Sequence, residues 1–113
     1  MPPTMAFIDV VYRIVVLAKA RNAEDAQQNE PRPAEHDLVA FLEALDEPTI
    51  LKLEAVMYGG RDKNPNFRDL KAEVSDGKVD AIRTMVAKTP LGDYLAEGLV
   101  LAQQAFVDLE GEL

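Results

Sequence analysis

Two short stretches of this chain hold the side chains best placed to bind a small ligand or an anion. The first, MYGGRD at residues 57–62, presents Tyr58 and Arg61 around two glycines. Backbone N–H groups in such a turn, together with a guanidinium group, can face an anion. The same stretch is also typical of a helix end followed by an exposed arginine. Arg61 is therefore a candidate ligand-binding residue with a plain structural alternative.

The second stretch, DYLAEGL at residues 93–99, contributes two carboxylates and a further tyrosine. Asp93 and Glu97 lie one helical turn apart, so they can receive an arginine from a neighbouring helix or hold a divalent ion with other acids. Near a helix N-terminus, the same carboxylates also suit the helix dipole. The candidate ligand-binding set across the two stretches is Tyr58, Arg61, Asp93, Tyr94 and Glu97.

Other chemically useful residues are few. The chain has no Cys, one His and one Ser, which excludes thiolate zinc sites, histidine cages and cysteine nucleophiles within one chain. Ser75 lies in a Ser-Asp-Gly turn and not at the strand-to-helix elbow of a hydrolase. An EF-hand-like spacing from Asp62 to Glu73 has Phe67 where the loop needs glycine. We expect no catalytic residue, no metal site and no cofactor, and whether the protein is an enzyme stays open.

The charge balance argues against a nucleic-acid partner. The 113 residues carry 12 Lys and Arg against 20 Asp and Glu, a formal net charge of -8. An acidic surface repels phosphate backbones. Residues 61–88 are locally basic, with seven bases against five acids, so the remainder carries -10. Because acids and bases alternate there, this segment is more typical of a solvated helical face than of an anion-binding patch.

The N-terminal segment, residues 1–22, predicts an apolar helix with Thr4 as its N-cap. Asp9, Arg13 and Lys19 form a narrow polar arc and nearly all of the remaining surface is apolar, so such a helix must be enclosed by other elements or by a second subunit. The run lacks the basic start of an export signal and is too short for a membrane span. We expect a cytoplasmic protein without a membrane partner, in which this helix forms a possible dimerisation element.

The proposed domain organisation has three parts. Residues 23–33 contain no apolar side chain larger than Ala and end in two prolines, which predicts a linker. Residues 34–113 then form a helical domain. The overall expectation is an all-α fold of about six helices, in which a compact helical domain is preceded by a separate apolar N-terminal helix.

Apolar side chains that recur at three and four residues predict five helices between Pro33 and the end of the chain. Pro33 starts one, and Asp46, Asn66 and Thr89 are expected to cap three others. The glycines at 59 and 60 are expected to end the third helix of the chain, and the last helix is expected to extend to Leu109. Gly98 lies mid-helix on the apolar face, which predicts a close helix crossing.

The MYGGRD and DYLAEGL stretches together resemble the signatures of a family of small, mostly bacterial proteins, domain of unknown function 3775. The similarity extends from about Asp37 to Leu109, and the second motif carries most of it. The resemblance implies a helical domain and a bacterial source, and it brings no established activity. It marks the residues of the two motifs as the positions of any shared site.

Two functions are consistent with these patterns. The first is a non-enzymatic protein–protein interaction or regulatory module that acts as a homodimer through the N-terminal helix. The alternative is a small-ligand or anion-binding domain, possibly an enzyme, with its site around Arg61, Asp93, Tyr94 and Glu97.

Overall fold

The computed structural model describes residues 6–27 and 33–110, and this part of the chain contains helices and no strand. The expected all-α fold with about six helices is confirmed. The six helices are α1 (Phe7–Gln27), α2 (Pro33–Glu43), α3 (Glu47–Asp62), α4 (Phe67–Lys71), α5 (Lys78–Val86) and α6 (Leu91–Gln104).

Helix α1 packs inside the fold, so the expected separation of this helix from a compact domain is not confirmed. Val11, Ile14 and Ala18 are fully buried, and α1 lies against α2 and α6. The helix is also longer than expected and continues to Gln27, so the first half of the predicted linker is helical. The expected cap Thr4 and residues 28–32 lie outside the described residues.

Polar side chains tie the C-terminal end of α1 to distant parts of the chain. Arg21 is buried and donates to the carbonyl oxygens of Val86, the last residue of α5, at 2.6 Å and of Lys88, two residues further on, at 2.9 Å. A cation suits the partial negative charge at a helix C-terminus. Glu24 accepts from the backbone N–H of Ala34 at 2.9 and 3.0 Å, so α1 also caps α2.

The N-terminal end of α1 is held by the C-terminal segment. Glu110 accepts from the backbone N–H groups of Phe7 at 2.9 Å and Ile8 at 3.2 Å. Lys52 of α3 donates to the carbonyl oxygen of Leu109 at 2.7 Å. These contacts satisfy helix-terminal N–H groups that have no partner within α1. Both ends of α1 are therefore fastened within this chain.

The centre of the fold is the crossing of α3 over α6, and glycines make it possible. A Cβ atom added to Gly60 would lie 2.7 Å from the carbonyl carbon of Tyr94, and one added to Gly98 would lie 2.8 Å from Val56 Cγ1. Non-bonded carbon atoms in contact lie about 3.5–4.0 Å apart, so a side chain at either position would clash. The close crossing expected at Gly98 is confirmed.

The expected stop of α3 at the glycine pair is wrong. The helix continues to Asp62 and ends at Lys63, whose φ of 54° is left-handed. Gly59 and Gly60 are buried helical residues that admit the Phe67 ring and the α6 backbone, respectively. Two of the expected caps are confirmed, since Asp46 accepts from Thr49 N at 3.1 Å and Asn66 from Asp69 N at 3.3 Å.

Both ends of α6 differ from expectation. Pro90 is the N-cap residue of α6, and no side chain forms a capping hydrogen bond there, so the expected cap at Thr89 is wrong. At the other end, the helix stops at Gln104 and Phe106 has a left-handed φ of 57°. The Val107 N–H donates to the Ala102 carbonyl oxygen at 2.9 Å, the long hydrogen bond of a Schellman motif. The last helix therefore ends five residues before Leu109, and Phe106 takes the position that usually holds glycine.

None of the helices in residues 6–27 and 33–110 combines the length and the apolar character needed to cross a membrane.

Candidate functional site

The two motifs of the candidate site face each other at the crossing of α3 and α6. Gly60 of the first motif contacts the Tyr94 backbone, and Gly98 of the second motif contacts Val56. The motif glycines are thus explained by close backbone packing, which side chains would prevent. Around this contact the five candidate residues separate into two groups with different partners.

Tyr58 belongs to a buried hydrogen-bond network centred on Glu54. Glu54 is fully buried on α3, and its Oε2 accepts from the Tyr58 hydroxyl at 2.9 Å and from Ser75 Oγ at 3.0 Å. Its Oε1 accepts from the Ser75 backbone N–H at 2.9 Å. Burial and the hydrogen bond to Glu54 raise the pKa of Tyr58 to about 12. The network fastens the loop before α5 to α3. Within the described part of the chain, every buried side-chain nitrogen or oxygen atom has a hydrogen-bond partner.

The Arg61 side chain contacts two side chains of its own helix, α3. Its guanidinium stacks over the Tyr58 ring at 4.6 Å from the ring centroid and donates to both carboxylate oxygens of Asp62 at 2.8 and 3.0 Å. These hydrogen bonds raise the pKa of Arg61 and lower the pKa of Asp62. Both side chains are exposed. The expected guanidinium group is present at the surface, but it already forms an ion pair with the carboxylate of Asp62.

The second motif directs its charges outward. Glu97 forms an exposed ion pair with Lys63, with 2.6 Å between Oε1 and Nζ. Asp93 is exposed and forms no salt bridge or side-chain hydrogen bond within the described residues. Tyr94 is half-buried and packs against the core. Arg61 thus pairs with neither Asp93 nor Glu97, and Lys63 is the basic residue that α3 offers to α6.

Three grooves lie elsewhere on the molecule. One of about 530 Å³ separates α2 from α5 and is lined mainly by Val39, Val79, Ile82 and Val86. A second, of about 490 Å³, lies beside Phe7 and Lys52, and a third, of about 350 Å³, lies between Pro65 and Phe106. None of these three grooves is lined by Tyr58, Arg61, Asp93, Tyr94 or Glu97.

Metal binding finds no support in the described residues, where no group of three or more His, Asp or Glu side chains is arranged to hold an ion. The EF-hand-like spacing is used locally instead. Asn66 caps α4 and donates from Nδ2 to Asp69 Oδ2 at 2.9 Å.

Sequence reasoning missed Glu54, which is the best-connected polar residue near the candidate site. A signal was present: residues 53–57 place Glu54 among Leu53, Ala55, Val56 and Met57, all of which are buried. An acid inside an apolar run of a helix indicates a buried carboxylate that needs donors.

Comparisons with family models, with curated proteins and with solved structures find no match to this chain. The resemblance to the family of small bacterial proteins therefore stays a prediction.

Proposed function

We propose that this protein is a non-enzymatic helical interaction module of the bacterial cytoplasm that acts as a homodimer through the outer face of α1. One observation carries the proposal. Tyr12 and Val16, one turn apart on α1, are 56% and 58% exposed although the opposite face of the helix is buried. Large apolar side chains grouped on a surface mark contact sites more often than scattered ones do.

The reason for a dimer differs from the one that the sequence suggests. The apolar face of α1 is covered by this chain, so a partner meets only the exposed stripe of Tyr12, Val16, Ala20 and Ala23. We name these four residues the α1 stripe. They recur at three and four residues, so they form one continuous face over about three turns.

The charges beside the α1 stripe favour a second copy in antiparallel orientation. Asp9 lies at the N-terminal end of the stripe, whereas Arg13 and Lys19 lie further along it, and all three are exposed. Reversing the partner helix brings the acidic end of each copy towards the basic part of the other. A two-fold axis makes this contact twice, as in most homodimers.

The expected dimer is weak. Stable interfaces bury about 800 Å² on each partner, and one face of a single helix supplies less. We therefore expect dissociation on the order of micromolar concentrations.

The test uses two valine variants of the full chain. Val16→Glu places two carboxylates in a symmetric interface and is expected to abolish the dimer in light scattering at tens of micromolar protein. Val79→Glu is the matched control, because Val79 is 70% exposed on α5 and the added charge is the same. A wild-type chain that stays monomeric contradicts the dimer, and equal dimerisation by both variants contradicts the α1 stripe as the interface.

The alternative, a small-ligand or anion site around Arg61, Asp93, Tyr94 and Glu97, draws no support from the geometry. Asp62 and Lys63 already pair with Arg61 and Glu97, respectively, and the three grooves lie elsewhere.

A further inference from the structure

The segment that follows α6, residues 105–110, does not take the conformation that its own sequence allows. We name it the C-terminal clasp. Its sequence, AFVDLE, contains neither glycine nor proline, so it holds no residue that ends a helix by itself. Ala105 and Leu109 also continue the apolar spacing of α6. The local sequence therefore permits a longer α6 than the structure has.

The observed conformation of the clasp is strained at one residue. Phe106 has a left-handed φ of 57°, where the Cβ atom crowds the following carbonyl oxygen and glycine alone is unstrained. The Phe106 side chain is 95% exposed, so its packing does not compensate for the strain. Such strain persists only where other contacts fix the conformation.

Those contacts lie at the far end of the clasp. Leu109 is buried, and its carbonyl oxygen accepts from Lys52 Nζ at 2.7 Å. Glu110 accepts from the backbone N–H groups of Phe7 at 2.9 Å and Ile8 at 3.2 Å. The partners belong to α3 and to the first turn of α1, more than fifty residues away in the sequence. Distant contacts thus hold the clasp in a conformation that is strained locally.

We propose that the clasp is a two-state element that opens as a unit. In the closed state, described above, Glu110 caps α1 and Leu109 is buried. In the open state, residues 105–109 continue α6, Phe106 becomes right-handed, and the Phe7 and Ile8 N–H groups lose their acceptor. Relief of strain and new helical hydrogen bonds favour opening, whereas the contacts with α1 and α3 oppose it. The opposition of these two sets of interactions makes the element bistable.

Opening changes the surface at the N-terminal end of α1. Phe7 and Val10 line the second groove, of about 490 Å³, together with Glu110. Lys52 lies over the Phe7 ring, with its Nζ 5.0 Å from the ring centroid. Withdrawal of the clasp uncovers this apolar end of the helix. The clasp therefore controls access to the first turns of α1, through contacts within one chain that do not depend on the proposed homodimer.

The experiment compares two substitutions at Phe106 in the full chain. Phe106→Gly and Phe106→Ala both remove the exposed ring. Glycine is unstrained in the left-handed conformation and disfavours a helix, whereas alanine keeps the strain and favours a helix. Amide hydrogen exchange measured by NMR at Phe7 reports opening of the clasp, and exchange at Ile14, in the middle of α1, reports global unfolding. Phe7 is expected to exchange faster than Ile14 in the wild type, and at least about tenfold more slowly in Phe106→Gly than in Phe106→Ala.

A second variant tests the form of the open state. Glu110→Ala removes the acceptor that holds the clasp closed. It is expected to speed the exchange of Phe7 and to move the Cα chemical shifts of Val107 and Asp108 towards helical values. Glu97→Ala is the matched control, because it removes an exposed carboxylate elsewhere on α6, and it is expected to change neither quantity.

Three results would overturn the proposal. The first is exchange of Phe7 as slow as that of Ile14 in the wild type, which would leave no opening short of global unfolding. The second is equal exchange of Phe7 in the two Phe106 variants. The third is a set of Cα shifts in Glu110→Ala that do not move towards helical values. The same differences are expected in the Val16→Glu background, so failure of the proposed homodimer would leave this test intact.

Discussion

Alanine substitution at two glycines of α6 is expected to change stability in opposite directions. Alanine favours a helix interior over glycine by about 1 kcal/mol, so propensity alone predicts stabilisation at both positions. The surroundings differ. A Cβ atom at Gly98 would lie 2.8 Å from Val56 Cγ1 and closer still to the Val56 carbonyl oxygen, whereas one at Gly92 would meet Val15 O at 3.4 Å.

The expected magnitudes follow from these distances. The obstacle at Gly98 is the α3 backbone, which cannot rotate away as a side chain can, so α3 and α6 must separate. Overpacking of this kind costs typically 1–3 kcal/mol, and separating the two central helices places Gly98→Ala at the upper end of this range or above it. After the helix-propensity gain, a net loss of about 2 kcal/mol remains. Gly92→Ala is expected to gain up to about 1 kcal/mol, because the added methyl group has ordinary contact distances.

The assay is thermal unfolding followed by circular dichroism at low protein concentration. For a chain of this size, 1 kcal/mol shifts the melting temperature by about 4 °C. Gly98→Ala is therefore expected to melt roughly 8 °C lower than the wild type, and Gly92→Ala a few degrees higher. If Gly98→Ala melts at or above the wild-type temperature, the close crossing of α3 and α6 is refuted.

Three further predictions concern the buried network and the end of α6. Tyr58→Phe and Ser75→Ala each remove one hydroxyl donor from Oε2 of buried Glu54, and each is expected to lower the free energy of unfolding by about 1–3 kcal/mol in urea titrations. The pKa of Tyr58 is raised to about 12 from the usual value of about 10, so the folded state holds this proton more tightly. Its contribution to stability is complete below about pH 10 and is lost as the pH rises from about 10 to 12, and ultraviolet absorbance is expected to show one tyrosine ionising late. Phe106→Gly is expected to raise the free energy of unfolding by about 1 kcal/mol, and an unchanged or lower melting temperature would show that the left-handed conformation costs nothing there.

Features that depend on neighbouring residues were predictable from the sequence. Asp46 and Asn66 cap helices because each side chain reaches an N–H group three residues later, so the pattern contains both partners. Gly98 on an apolar helical face has one common structural meaning, and the close crossing follows from it. The number of helices similarly follows from apolar spacing within each segment.

Features that depend on distant residues were not predictable. Arg21 meets carbonyl groups more than sixty residues later, and nothing near it in the sequence indicates that α1 folds back onto the chain. Gly60 has the same local pattern as a helix stop, and only the position of α6 shows that it is a packing residue. Phe106 ends α6 without the expected glycine.

The same limit applies to the candidate site. Tyr58 and Arg61 were identified by type, but their partners were not. Glu54 accepts hydrogen bonds from Tyr58 and from Ser75, and Ser75 lies 21 residues further along the chain. Charge type alone did not indicate that Glu97 pairs with Lys63 and that Arg61 pairs with Asp62.

The most direct test of the proposed homodimer uses the absence of cysteine from the chain. A spin label attached to Val16→Cys reports contact between two copies, because packed helices lie about 8–10 Å apart between their axes. The account predicts dipolar broadening at this position that disappears on dilution with unlabelled protein, and no broadening at the control position Val79→Cys. Sharp spectra at both positions, or broadening at Val79→Cys alone, would contradict a homodimer through the outer face of α1.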